Sequence, residues 1–329
     1  MNSDTKLTVS LSPHIHSSNS IDRCMWNVVI AMLPAMAVAI WTFGAPALFT
    51  VLISVGACLA TEYLINRFML HRGFTLLNGS ALITGILLAF NLPSILPWWM
   101  VIIGAVVAIG IGKMSFGGLG CNIWNPALVG RVFLLISFPA AMTTWPEGVA
   151  SGLSNFTGAS SPDASTGATI LATLNSSNGS VGLGNVDMLD MAIGHMNGSL
   201  GEVGSIAILI GLVYLLITRV ITWHIPVSII ASAALFSWAF GGNPLLDIFA
   251  GGLLLGAVFM ATDYVTSPMT RSGQLIYGFM IGFITIVIRR YGSYPEGVSF
   301  AILLMNSFTP LINRYCHPSL FGRVKKSKK

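Results

Sequence analysis

The chain has 329 residues, of which 54% are hydrophobic and only 8% charged, against about 25% charged in a soluble globular domain. At roughly 20 apolar residues per span, at most about ten to twelve transmembrane helices fit with short connections, which excludes a sizeable soluble domain and puts the function in or beside the bilayer. The net charge of +5 does not point to nucleic acid, because the basic residues form no groove and five of the sixteen stand in the tail as Arg323, Lys325, Lys326, Lys328 and Lys329, a topology anchor beside lipid headgroups.

Taken in chain order, residues 1–24 are polar and lack a basic stretch, short apolar run and small-residue cleavage site, so they are expected to be an uncleaved cytoplasmic segment. Apolar runs punctuated by Gly, Pro and charge predict spans at 25–43, 45–65, 79–90, 97–111 and 126–138, a first membrane half over 25–138. A long connection follows over 139–200. Further spans at 205–217, 226–240, 248–261, 275–288 and 298–312 make a second half over 201–313, and a basic tail over 314–329 closes the chain. The fold class expected is an all-α polytopic membrane protein of about ten transmembrane helices with one long extracytoplasmic loop. Several predicted spans are shorter than a bilayer, which is tolerated where a broken or tilted helix is packed inside protein. The third span of each group of five is short and Gly-rich. Because five is odd, the halves enter the membrane in opposite orientations if they repeat each other, the inverted-repeat logic of transporters; the other reading is that short Gly-rich helices simply pack closely.

Charge fixes the expected topology. With both termini inside, inner segments carry Lys6, Arg23, Arg67, Arg72, Lys113, Arg219, Arg271, Arg314 and the basic tail, while outer segments carry only Arg289 and Arg290. These two read as snorkelling at a helix end, with a ligand-binding role as the alternative. The 139–200 loop holds Glu147, Asp163, Asp187 and Asp190 with no Lys or Arg, so it is easily translocated and is placed outside.

Single residues add less. Asn125 before Pro126 reads as a helix start, with a seat for an anion or a larger ligand as the sharper alternative. Arg131, inside a span, needs a partner, and Glu62 is one candidate. Asp263 reads either as an interfacial cap or as a cation or gating residue, Glu296 is equally open, and His195 reads as a surface or packing residue. Trp98, Trp99, Trp145 and Trp223 read as an interfacial belt. Cys24, Cys58, Cys121 and Cys316 are far apart with no C-x-x-C pair, which argues against an iron–sulfur or zinc site within this chain alone and leaves Cys121 as a residue to share with another subunit.

The outer loop contains Asp163-Ala164-Ser165-Thr166-Gly167-Ala168-Thr169. By composition these are ordinary loop and cap residues. The pattern, however, resembles the D-x-x-(S/T)-G-A-T signature of bacterial proteins in which a dedicated flavin transferase esterifies FMN through its phosphate to the last threonine, here Thr169. The stretches 116–130, FGGLGCNIWNPALVG, and 294–306, YPEGVSFAILLMN, resemble the RnfD branch of the RnfD/NqrB family, and the likeness extends along most of the chain. The NqrB branch carries a longer amino-terminal extension that this sequence lacks.

That resemblance implies ten spans, a covalent phosphodiester-linked FMN at Thr169 on the outer side of a bacterial or archaeal cell membrane, and a second, non-covalent flavin such as riboflavin. It also implies Rnf subunits A, B, C, E and G as partners and a transferase for maturation. The implied activity is electron relay between ferredoxin and NAD coupled to Na+ or H+ translocation. A threonine hydroxyl without a neighbouring base is a poor nucleophile, so Thr169 is expected to be modified by an external enzyme and not to be a catalyst. Gly167 and Ala168 are small enough for close approach by a transferase, and Asp163 is expected to orient the segment or the transferase's metal, with Ser165 and Thr166 completing the motif. The alternatives are an NqrB-like subunit of a Na+-pumping NADH:quinone reductase, or an inverted-repeat solute transporter in which the loop is a plug or lid.

Overall fold

The computed structural model describes residues 20–71, 76–146, 166–167, 198–292 and 297–316. Ser20 caps the first helix, its side chain accepting from the Arg23 N–H at 3.1 Å, and α1 runs over Ile21–Phe43. Gly44 turns the chain directly into α2 (Ala45–Leu64), with Pro46 in its first turn, and α2 runs on as a π-helix over Ile65–Leu70. The short α3 (Ser80–Phe90) is followed by α4 (Trp98–Gly110), α5 (Pro126–Ser137) and the one-turn α6 (Pro139–Met142). Two short strands, β1 (Trp145–Pro146) and β2 (Thr166–Gly167), pair antiparallel at the foot of the long loop.

The second half contains α7 (Ser205–Ile217), α8 (His224–Ala239), α9 (Pro244–Phe249), α10 (Leu253–Leu255), α11 (Arg271–Tyr291) and α12 (Val298–Tyr315). The α10 turn continues as a π-helix over Gly256–Met260. The helices over Ile21–Phe43, Ala45–Leu70, Trp98–Phe116 and Arg271–Tyr291 are long and apolar enough to cross a membrane, and four shorter apolar helices accompany them. The shortest of these is deeply packed: nine of the eleven residues of α3 are buried, as a short span requires when protein, not lipid, must surround its ends.

One predicted span is broken. The stretch 248–261 reads as continuous because its apolar residues are uninterrupted, yet Gly251, at φ +72°, takes a left-handed conformation that ends one helix and begins the next.

The pattern of helix packing in the first half recurs in the second. Helix α2 packs on α3 and α4, α4 on α5, and α3 on α5; α8 packs on α11 and on the 256–260 segment, α11 on α12, and that segment on α12. Equivalent helices run in opposite directions. The Tyr214 hydroxyl near the end of α7 donates to Asn27 near the start of α1 at 3.2 Å, while Gly204 at the start of α7 lies against Val38 near the end of α1. Likewise Trp124, just before α5, donates to Ser307 deep in α12 at 2.8 Å, and Arg131 further along α5 donates to Ser299 at the start of α12. The α1–α7 and α5–α12 pairs are thus antiparallel, the arrangement that an inverted repeat requires of its equivalent helices.

Candidate functional site

Two polar constellations lie at opposite ends of this bundle. The first surrounds a cavity between the halves, where the starts of α1, α3 and α5 meet the ends of α4 and α7 and the loop after Met260. Asn125 builds one wall. Its Oδ1 accepts from the Ala127 N–H at 3.1 Å, which caps α5, and its Nδ2 donates to the Met260 carbonyl at 3.2 Å, which closes the π-helix of the other half. The helix-start reading of Asn125-Pro126 is thus correct, and the same side chain borders a cavity.

Asn122 reaches across the halves to Asp263 at 3.4 Å, and Asp263 also accepts from the Val265 N–H and the Thr266 hydroxyl, each at 3.4 Å. Asp263 therefore caps its own loop, as one of its sequence readings has it, while also facing the cavity. Its withdrawal from bulk water pushes the carboxyl above the usual carboxylate range, and the three donors pull the other way.

Lys113 completes the polar wall. Its Nζ donates to Glu62 Oε2 at 2.6 Å and to Ser80 Oγ at 2.7 Å, and both charged residues are 3% exposed. The expectation that Glu62 partners Arg131 is therefore wrong. A residue 51 positions away, placed at the end of α4 by its packing on α2, takes Glu62 instead, and one-dimensional spacing contains no signal for such a pair. Most of the rest of the lining, including Leu87, Leu215, Val258 and Phe259, is apolar, with Thr84, Thr262 and Tyr264 as further polar members. The cavity measures about 110 Å³, room for roughly seven to eleven waters at about 10–15 Å³ each, which corresponds to roughly 200–330 Å³ of ligand at about 30 Å³ of liquid volume per water. That suits a flat ring system with apolar faces and hydrogen-bonding edges.

The second constellation is a buried charge cluster at the other end. Arg131 in α5 donates to Ser299 and is buried, as is Glu202 ahead of α7. Glu202 is held by close backbone packing: Gly201 donates its N–H to the Phe90 carbonyl at 2.7 Å, and a Cβ there would stand 2.7 Å from both Phe90 and Leu255 side-chain atoms. Asp247 in α9 lies 3.2 Å from Arg290 and 4.0 Å from Arg289, and accepts from Ser237 at 2.5 Å. Arg289 does not snorkel. It is 2% exposed and donates to the Asp247 and Ala250 carbonyls, the otherwise open end of α9. Snorkelling fails because Gly251 breaks the chain beside it and leaves carbonyls that a guanidinium satisfies. Among the described residues, Glu202 Oε1 and Arg289 Nε have no hydrogen-bond partner.

Of the loop motif, only Thr166 and Gly167 are described, as the β2 strand pairing with Trp145–Pro146. Asp163, Ser165, Ala168 and Thr169 lie outside the described residues, as do His195 and Glu296. Trp145 is buried, in contrast to exposed Trp98, Trp99 and Trp223, so it does not belong to the interfacial belt. Cys121 is exposed beside the Gly117–Gly120 turn, and Cys24 lines the cavity.

Comparison with known proteins covers nearly the whole chain. A family model described as the NQR2, RnfD, RnfE family matches residues 8–322. The chain is 43% identical over 328 residues, 99% of both sequences, to the protein of Acetobacterium woodii named as the D subunit of a Na(+)-translocating ferredoxin:NAD(+) oxidoreductase complex. It is 42% identical over 96% of each sequence to the Clostridium ljungdahlii protein named as the D subunit of a proton-translocating ferredoxin:NAD(+) oxidoreductase complex, and 42% identical over 94% of each to the D subunit of the ion-translocating oxidoreductase complex of Stutzerimonas stutzeri.

Proposed function

Since the chain belongs to the NQR2, RnfD, RnfE family, we propose that it is the D subunit of a membrane-bound, ion-translocating ferredoxin:NAD+ oxidoreductase and relays electrons within that complex. The observation that carries this reading is likeness over almost the full length of relatives named for that subunit and activity. Relatives of near-equal identity are named for Na+ and for protons, so the coupling ion follows from local residues and not from the fold.

Within this reading Thr169 carries FMN through a phosphodiester, the 139–200 loop and its Asp163–Thr169 motif lie on the outer face, and both termini lie inside. The outer placement is supported by the absence of Lys and Arg from the loop. Subunits A, B, C, E and G are the partners, with a transferase for maturation. A tether keeps the cofactor at high local concentration in a compartment open to dilution. After co-expression with the transferase, the wild-type subunit is expected to fluoresce under ultraviolet light on a denaturing gel, and Thr169→Ala is expected to abolish the signal; a dark wild-type band overturns the covalent-flavin assignment. Reduction of NAD+ with ferredoxin by the purified complex tests the activity, and quinone reduction with NADH in its place would favour the NqrB-like alternative.

The cavity at Asn122, Asn125, Lys113 and Asp263 is the seat of the second, non-covalent flavin. Its wall suits an uncharged one, because the ammonium that faces it is already paired with Glu62 and a phosphate would bring two negative charges without a counter-ion. Asn122 and Asn125 would hold the edge of the ring, the apolar residues its faces, and Thr262 and Asp263 the polar chain. A flavin there supplies the ability to take electrons singly or in pairs. Thr84→Phe, which projects a ring into the cavity from α3, is expected to lower the flavin released on denaturing the complex by one equivalent while leaving the Thr169 fluorescence intact. Unchanged flavin content would place that cofactor elsewhere.

A further inference from the structure

We propose that Lys113 sets the redox potential of the flavin in the cavity and that Glu62 limits how much of the lysine's charge reaches it. The inference rests on the reading of that cavity as a flavin site.

The geometry separates the two members of the pair. Lys113 and Ser80 line the cavity, whereas their partner Glu62 does not. The ammonium of a residue that lines the space a ligand fills is thus paired, at 2.6 Å, with a carboxylate of a residue that does not line it. A pair serving only to join α2 to the end of α4 has no need of charge, since replacing a buried ion pair with well-packed apolar residues of similar volume is often neutral or stabilising. Lysine is also the cation suited to sharing: a point charge on a flexible four-carbon stem, able to shift toward one acceptor or another, unlike the fixed fork of arginine. In surroundings this dry a charge acts strongly over several ångströms.

Each electron that enters the ring adds negative charge. A cation at the wall favours that state, and a carboxylate paired with the cation offsets part of its field. Lys113→Met removes the favourable charge and leaves Glu62 to repel the electron. Glu62→Gln frees the full ammonium for the ring. The two substitutions therefore move the equilibrium in opposite directions, which a general loosening of the site does not do. Lys113 acts as a positioning residue for charge and not as a participant in bond making.

The test is a spectroscopic redox titration of the intact complex, with Thr169→Ala throughout to remove the covalent flavin's overlapping signal. At a fixed potential, Lys113→Met is expected to lower the reduced-to-oxidised ratio of the remaining site at least tenfold, about 59 mV for a one-electron couple, and Glu62→Gln is expected to raise it. Because Lys113→Met takes the ammonium partner from a buried carboxylate and can block assembly, the double variant Lys113→Met with Glu62→Gln, which removes both charges of the pair, decides the matter: it should assemble and titrate below wild type. Shifts of one sign in both single variants, or no shift in the double variant, overturn the proposal. Absence of a non-covalent flavin from the wild-type complex overturns the reading of the cavity itself, before any variant is made.

Discussion

Gly282→Leu in α11 is expected to prevent the second half from assembling, while Gly56→Ala in α2 leaves it intact. A Cβ at Gly282 would overlap Ser232 Oγ and would meet the Ile229 carbonyl at 2.7 Å and the Ala233 nitrogen at 2.9 Å. The serine rotates away, but the two backbone atoms of α8 do not, so any side chain drives the helices apart. One turn earlier, Gly278 faces Ser228 in the same way. Two glycines four apart against two serines four apart form the small-residue seam through which membrane helices approach closely, and α8 with α11 is the most extensive helix pair of the structure. Gly282→Ala should cost about 1–3 kcal/mol as an overpacking change, and the larger leucine side chain more. Gly56 has no atom within 4 Å of the position a Cβ would take, so alanine there should be neutral or stabilising by up to about 1 kcal/mol. Recovery of the subunit in the detergent-extracted complex, and its resistance to increasing dodecyl sulfate, measure both. Wild-type recovery of Gly282→Leu would show that this seam does not hold the fold.

Arg289→Met is expected to cost about 3–5 kcal/mol, the loss seen when one member of a buried ionic arrangement is removed, whereas Arg290→Met should cost under about 1 kcal/mol. The two neighbours both approach Asp247, but the Arg289 side chain is 3% exposed and that of Arg290 is 22% exposed. Only Arg289 also satisfies the carbonyls of Asp247 and Ala250, and each open buried carbonyl adds to the loss. The same dodecyl sulfate titration checks this. Equal losses for the two variants would mean that the charge on Asp247, and not the carbonyl network, carries the stability.

Much of this architecture is legible in the sequence. Span boundaries follow the punctuation closely: Ala45, Pro126, Ser205 and Val298 each open a helix where apolar runs predict it. Odd numbers of spans per half imply inversion if the halves repeat each other, and the contacts of Tyr214 with Asn27 and of Arg131 with Ser299 are antiparallel, as that reading expects. What the sequence hides is pairing across distance. Nothing in spacing tells that Glu62 meets Lys113, or that Arg289 turns inward while Arg290 stays near the surface, since apolar periodicity reports one face of a helix and not what lies against it. The break at Gly251 is hidden for a different reason: hydropathy ignores backbone conformation, and a glycine in an apolar run reads the same whether its φ is negative or positive. The cavity was legible only as alternative readings of Asn125 and Asp263, beside their plainer ones as helix start and cap. The second function of Asn125, closing Met260 from the opposite half, exists only once the halves are brought together.

The two short helices of the halves, Ser80–Phe90 and Leu253–Met260, contain no ionisable residue, and the charged constellations lie beyond them at opposite ends of the bundle. Voltage is therefore felt between the ends. Each constellation mixes cations with carboxylates, so an imposed membrane potential does little work on either one, but an elementary charge passing from one end to the other falls through the field at about 2.3 kcal/mol per 100 mV.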